Sequence, residues 1–322
     1  MNEFTDDNFI LQDDARTKNY KEEENTIEKN NKTDFYNWGQ LKLFITNLQF
    51  LTNHIDKIDR NKRPIFVYVG AAPSISTYTL AKMFPNVDFH LYDSADFYKK
   101  LNELNNIKLY KKYFTDDDAM EWKKENDRVF YLSDIRDLQY DSTATDEERN
   151  KFIIKNMRDQ EKWYNIIQPV ASHLKFRMPN VTNNLETFEY LDGDIYFQPW
   201  VDKDSIEVRL VPHGKGIIKK WLPIEFNNKI AYFLNETRKK KKYYNPIYNN
   251  EEQFLNGVPN NFDSIGSFRI LYNYFSLFFD DKNKIKIYII HLWPQILENI
   301  RSTYKNDDNK EKNHKFMIKF SS

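Results

Sequence analysis

Four charged residues stand where the surrounding sequence is apolar. Lys42 lies in Gly39-Gln-Leu-Lys-Leu-Phe, among residues spaced for the buried side of a helix, and Asp134 ends the run Phe130-Tyr-Leu-Ser-Asp. Lys175 alternates with His173, Leu174 and Phe176, and Glu207 sits in Ile206-Glu-Val-Arg-Leu. Ionised side chains are rarely buried unless they are paired. Any one of these residues alone reads as a strand-edge or surface charge. Two lysines and two acids together make a less ordinary set.

A second signal reads either as a nucleotide-binding turn or as an ordinary βα turn of a sheet. Phe66-Val-Tyr-Val-Gly-Ala-Ala-Pro-Ser-Ile-Ser76 is an apolar strand that breaks into a turn of small residues and then a helix, with Ser74 as the expected cap. A strand, a tight turn and a helix N-terminus hold a nucleotide-like ligand in doubly wound sheets. Asp93 ends the next strand, Phe89-His-Leu-Tyr-Asp. That is close to the offset of about 20 residues expected of a carboxylate that grips ribose hydroxyls.

The elements that must position these groups follow from periodicity. A helix runs from Gly39 to near His54. Strands at 65–70, 87–92, 107–110 and 128–133 alternate with helices at 74–84, 95–104 and 115–126. This rhythm predicts an α/β fold: a Rossmann-like, doubly wound, mostly parallel sheet. Asp134 then falls at a strand's carboxyl end, where such sheets keep their crevice. A long amphipathic helix from Asp146 is stopped by Pro169. Strands are expected at 172–178, 194–200 and 206–211, and helices at 223–238, 264–280 and 286–301. We divide the chain into a polar N-terminal arm (1–34), a single domain (35–302) and a charged tail (303–322).

The chain has 322 residues, with 48 basic and 48 acidic side chains, so no global positive field advertises nucleic acid. The dense basic run Arg238-Lys-Lys-Lys-Lys-Tyr-Tyr244 is either a solvated helix end or a phosphate-tracking patch with stacking aromatics. The absence of cysteine excludes disulfides, Cys-based zinc sites and thiol catalysis. With no membrane-length apolar run and no signal-peptide core, a soluble intracellular protein with no membrane partner is expected. No His/Asp/Glu cluster has metal-ligand spacing, so no metal is expected.

Taken in order, Gly39-Gln-Leu-Lys-Leu-Phe, Val67-Tyr-Val-Gly-Ala-Ala-Pro, Leu132-Ser-Asp-Ile-Arg and Gln168-Pro-Val-Ala-Ser-His-Leu-Lys-Phe-Arg-Met-Pro form a specific series. Gln198-Pro-Trp and Ile206-Glu-Val-Arg-Leu continue it. Over about residues 36–240 the chain resembles the poxvirus cap-specific mRNA 2′-O-methyltransferases, which in that family also serve as the small regulatory subunit of the viral poly(A) polymerase. The resemblance implies a Lys-Asp-Lys-Glu catalytic set of Lys42, Asp134, Lys175 and Glu207. It implies S-adenosyl-L-methionine contacts at Gln40, Tyr68, Gly70, Ala72, Ser74, Asp93, Phe114, Thr115 and Asp134. It implies RNA contacts at Arg177, Met178, Pro179 and Asn180 and at Ser205, Ile206 and Glu207.

The implied partners are capped mRNA and a viral poly(A) polymerase catalytic subunit, and the implied location is the cytoplasmic viral factory of a host cell, with packaging in the virion. Four positions depart from the family pattern. Ser74 replaces a turn glycine, Ala95 an arginine, Asn180 a cap-stacking aromatic, and Asn227 an acid, with Glu225 close by. Either a rebuilt cap pocket draws on Tyr20, Phe188, Tyr190 or Trp200, or the protein accepts RNA with little regard to the methylated cap.

In the implied reaction Lys175 is the general base. An ordinary lysine, with a pKa of about 10.4, is protonated at neutral pH, so we expect repulsion from Lys42 and desolvation to lower it. Asp134 and Glu207 would orient the lysines. The competing reading is an RNA-clamping processivity subunit with methylation secondary or absent. A third is a methyltransferase for another RNA or a non-RNA substrate.

Overall fold

The computed structural model describes residues 9–11, 15–17, 37–136, 144–180, 186–202, 205–238 and 261–300. Nine strands and seven α-helices are found among them. Five strands alternate with helices in chain order: β1 (Ile65–Val69), β2 (Asp88–Asp93), β3 (Ile107–Lys111), β4 (Val129–Ser133) and β5 (Ala171–Phe176). They pair in parallel in the order β3-β2-β1-β4-β5. β8 (Val208–Pro212) adds antiparallel to β5, and β7 (Gly193–Tyr196) closes the seven-stranded sheet beside β8. β6 (Phe188–Leu191) and β9 (Ile218–Trp221) form a separate antiparallel pair.

β1 is buried along its whole length, as a parallel strand covered on both faces must be. Consecutive strand residues face opposite ways, and β4 shows what covers each face. Phe130 meets Phe50 of α1 (Trp38–His54) edge-to-face at 5.7 Å. Tyr131 meets Phe114, which packs on Trp163 of α4 (Asp146–Ile167). α1 therefore lies on one face and α4 on the other. α2 (Ile75–Met83) and α6 (Phe262–Ser276) flank α1, with α7 (Lys282–Asn299) beside α6. α3 (Asp116–Lys123) packs on α4. α5 (Pro223–Tyr232) begins with a proline at its first turn, where no backbone donor is needed.

Capping boxes start α3 (Thr115 with Asp118) and α4 (Thr145 with Glu148). α4 ends on Gln168 in the left-handed region, directly before Pro169.

The structure corrects four expectations. The 95–104 helix is a short 3₁₀ turn, Lys99–Glu103, because Asp93 Oδ1 accepts from the Ala95 amide and Pro73 O from the Tyr98 amide. The strand expected at 194–200 stops at Tyr196, where Pro199 would interrupt a ladder. β6 and β9 were not expected. Within the stretch read as a polar arm, Phe9 is buried, Ile10 bridges to Tyr196, and the Leu11 and Phe197 amides donate to Ile195 O and Phe9 O. The 239–244 part of the basic run, Tyr20 and the tail lie outside the described residues. No helix among the described residues is long and apolar enough to cross a membrane.

Candidate active site

The strand order reverses between β1 and β4, so the crevice of the sheet opens beyond their carboxyl ends. There the Gly70 and Ala71 amides donate to Tyr92 O of β2, and the Asp134 amide donates to Val69 O. Gly70 has φ +74°, and a Cβ on it would come within 2.7 Å of the Ile135 nitrogen. Only glycine lets the two strand ends approach this closely. Asp93, at the end of β2, accepts from the Ala72 amide through Oδ2 and from the Ala95 amide through Oδ1, both at 2.9 Å.

The face covered by α1 carries the charges. His173 stacks on Phe50 of α1, so Lys175, two residues on, points to the same face. Arg209 of β8 lies directly across from Lys175 and shares it. Glu207 precedes β8, and Lys42 comes down from α1. Lys42 Nζ is 2.7 Å from Glu207 Oε1, and Lys175 Nζ is 3.0 Å from Glu207 Oε2 and 3.3 Å from Asp134 Oδ1. Arg209 Nη2 is 2.9 Å from Asp134 Oδ1 and 3.7 Å from Glu207 Oε1. Charges thus alternate along Lys42, Glu207, Lys175, Asp134 and Arg209.

The electrostatics follow from burial against pairing. Burial pushes both carboxyls up, but Arg209, Lys175 and Lys42 outweigh it at Asp134, and the same three cations do so at Glu207. Both acids stay ionised, Glu207 well below the usual carboxylate range. Burial pushes Lys175 down, yet Asp134 and Glu207 together win, so its pKa stands above that of an ordinary lysine. This corrects the expectation that Lys175 is lowered by Lys42. The cation opposing Lys175 is Arg209, while Lys42 is occupied with Glu207. Tyr68 stands beside this cluster, its phenol raised first by burial and then by Asp134.

This geometry is that of a charged, partly closed site beside a tight glycine turn. The family model for the poly A polymerase regulatory subunit matches residues 7–318. The chain belongs to that family. It is 25% identical over 233 residues to a fowlpox virus protein named cap-specific mRNA (nucleoside-2′-O-)-methyltransferase, covering 68% of this chain and 74% of that one. A myxoma virus (strain Lausanne) protein of the same name is 26% identical over 228 residues; the match spans 66% of this chain and 65% of the relative, just under two thirds. A structure of bluetongue virus VP4, described as a multifunctional RNA-capping production line, matches at TM-score 0.43 and 14% identity, over 57% of this chain and 30% of that one.

In this family member several residues singled out from sequence have structural work. Ser74 does not cap α2: it is left-handed, and its hydroxyl donates to Ala71 O at 2.6 Å. Gln40 caps instead, its Oε1 accepting from the Ser76 amide at 3.0 Å. Phe114 is buried between Tyr92 and Trp163, and Thr115 caps α3. Ala72 stands in the turn, partly exposed.

Beyond β5, Met178 and Pro179 are buried. Asn180 is tied down by Asn150, Asp146 and Arg177. Ser205 Oγ accepts from the Glu207 amide, and Ile206 is buried. Phe188 and Tyr190 are 4% and 0% exposed, so neither can stack on a base, which removes them from the expected cap aromatics. Arg209, the fifth member of the cluster, lies in the same Ile206-Glu-Val-Arg-Leu motif as Glu207. Its signal was an arginine alternating with Val208 and Leu210 inside a strand.

Proposed function

We propose that this protein transfers a methyl group from S-adenosyl-L-methionine to the ribose 2′-hydroxyl of the first transcribed nucleotide of capped mRNA. The observation that carries this reading is Lys175, held between two carboxylates at the mouth of a crevice whose other wall is a nucleoside-type turn. The names of the fowlpox and myxoma relatives support it.

The residues present suit the methyl donor. Each Asp93 oxygen accepts one backbone amide and keeps acceptor capacity suited to a ribose diol. Asp134 offers an ionised carboxylate to a cation. S-adenosylmethionine supplies the electrophilic methyl on a sulfonium. Lys175 orients the attacking hydroxyl and takes its proton. In the free protein it is an ammonium, so the base role requires its pKa to fall when substrates bind. A cation added beside Asp134 acts in that direction. Arg209 and Lys42 keep both carboxylates engaged, so that neither becomes the proton acceptor.

A radiolabelled methyl-transfer assay on capped and uncapped RNA tests the reading. Transfer to the capped RNA's first nucleotide is expected, and no transfer to either would refute it. The family to which the chain belongs favours a second role, association with a poly(A) polymerase catalytic subunit on RNA. Copurification of the two subunits, and longer tails with both present, test that role. By the same reasoning we assign the protein to the cytoplasmic viral factory and the virion, to be checked by imaging and by proteomics of purified particles.

A further inference from the structure

The segment joining β7 to β8 contains a turn that the chemistry above does not account for. Gln198 is 1% exposed. Its Oε1 accepts from Arg209 Nε at 2.9 Å, and its Nε2 donates to the backbone oxygen of Glu207 at 3.3 Å. Two residues on, Trp200 has φ 65°, a left-handed conformation that a bulky residue keeps only when its surroundings enforce it.

Those surroundings are identifiable. The Trp200 amide donates to Asp263 Oδ1 at 2.9 Å, and its indole Nε1 donates to Ser267 Oγ at 2.8 Å, both on α6. Its ring stacks on Trp38, the first residue of α1, with centroids 4.9 Å apart and planes 9° from parallel. Arg238 Nη2 donates to Val201 O at 2.7 Å and pairs with Asp263 at 3.0 Å. A Cβ on Gly266 of α6 would come within 3.1 Å of Pro199 Cγ, so the helix backbone lies against the proline ring. The turn is held by α1, α6 and Arg238, and Gln198 is the side chain by which it reaches the charge cluster.

Arg209 has two carboxylates within reach of Nη2. Its guanidinium is a rigid fork, so holding Nε fixes where the other two nitrogens go. With Nε on Gln198, Nη1 donates to Ser133 O at 3.2 Å and Nη2 to Asp134 at 2.9 Å. Glu207 is left to Lys42 and Lys175. An amide can hold Nε without adding charge to a set of three cations and two acids.

We propose that Gln198 is a positioning residue that assigns Arg209 to Asp134, and that the Gln198–Trp200 turn, anchored on α6, thereby sets how charge is divided around Lys175. The kinetic consequence rests on the methyl-transfer reading; the placement of Arg209 does not. The groups facing Lys175 are Asp134 from the end of β4, Glu207 and Arg209 from β8 and the residue before it, and Lys42 from α1. Tyr68 of β1 stands beside them.

The test is Gln198→Met, which keeps length and bulk and removes both hydrogen bonds. In cofactor-free protein the Arg209 Nε–H proton is expected to exchange at least about 10-fold faster in the variant, read by ¹⁵N–¹H spectroscopy. In turnover kcat is expected to fall roughly 10- to 100-fold with KM for RNA nearly unchanged. The pH–rate midpoint moves upward, because Lys175 loses a fixed repelling neighbour. Gln198→Glu keeps the acceptor, so it should restore slow Nε exchange while moving the midpoint up. Trp200→Phe, farther away, should speed Nε exchange more weakly and guards against misfolding of the first variant. Unchanged Nε exchange in Gln198→Met, with loss of thermal stability alone, would reduce Gln198 to a core filler. If wild type transfers no methyl group but Nε exchange still responds, the positioning stands and the proposed reaction falls.

Discussion

Around β1 and β2 the crevice is shaped by backbone, whereas around β5 and β8 it is shaped by ionised side chains. On the first side the contacts are amides of Gly70, Ala71 and Ala72 on Tyr92 O and Asp93. On the second, five charged side chains lean on one another, and Arg209 is only 3% exposed. The difference predicts two kinds of fragility. A backbone-shaped wall fails sterically, at one position at a time. A buried ion network fails collectively, since deleting one member leaves its neighbours desolvated and unpaired.

The largest effect is expected on the charged side. Lys175→Met should lower methyl transfer by ~10²–10⁴-fold, the usual weight of a general base. S-adenosylhomocysteine binding, measured by calorimetry, should stay within a few-fold, because Lys175 is on a different strand from Gly70 and Asp93. Retention of more than about a tenth of the activity would end the base assignment. Next, Arg209→Met should cost about 3–5 kcal/mol in urea unfolding by stranding Asp134. A loss below about 1 kcal/mol would show that water or Lys175 compensates and that the network is looser than its distances imply.

The backbone side is probed by a pair of glycines. Gly70→Ala forces φ +74° on a residue with a Cβ and drives that atom against the β4 end, so a loss of roughly 1–3 kcal/mol is expected. Gly39→Ala, in the first turn of α1 with its nearest neighbour 3.4 Å from the added Cβ, should instead stabilise by about 0.4–1 kcal/mol. Equal effects would erase the contrast.

Smaller still is Lys42→Met. It takes one cation off Glu207 and leaves that carboxylate more to Lys175, which favours the ammonium, so the pH–rate midpoint should rise in single-turnover kinetics. A fall would mean that Lys42 reaches Lys175 in some other way.

Stability against pH gives the last test. Asp134 and Glu207 have depressed folded-state pKa values, so their contribution is present above the unfolded carboxylate range and is lost as acid protonates them. Lys175 is raised, so its contribution holds below its unfolded pKa and fades only as strong alkali titrates the folded group. His90 is pushed by burial down to about 4. Between pH 6.5 and about 4 the unfolded chain therefore binds the extra proton. Acid loss should begin there, before the carboxylates titrate; burial lowers His54 and His173 as well, so His90→Gln should lessen that loss without abolishing it. An unaltered onset would locate the first loss elsewhere.

What could be read from the chain divides along the same line. Lys42, Asp134, Lys175 and Glu207 were visible because ionised residues in apolar runs need partners, and each proved to have them. β1 and β4 were visible as continuous apolar runs. Arg209 was hidden because an arginine in a strand has the same local pattern at an edge as at a buried junction. Its partners lie 11 and 75 residues away. Gln40 as the cap of α2 was hidden because it acts 36 residues from the amide it satisfies, while Ser74 offered a local candidate. β6 and β9 escaped because β9, Ile218-Lys-Lys-Trp221, alternates only weakly. Phe9-Ile10-Leu11, three apolar residues inside a polar stretch, marks the segment that pairs with β7.

That triplet bears on how the molecule keeps company with copies of itself. β7 is the last strand of the large sheet, and an open edge is a template on which another chain can lengthen the sheet. Ile195 O and the Phe197 amide would be free for such a guest, but they are taken by Leu11 and Phe9. Phe9 is itself clasped edge-to-face by Phe262, 5.4 Å away. A few residues thus cover this edge of the sheet, and how firmly they do so depends on how well one phenylalanine sits in its socket.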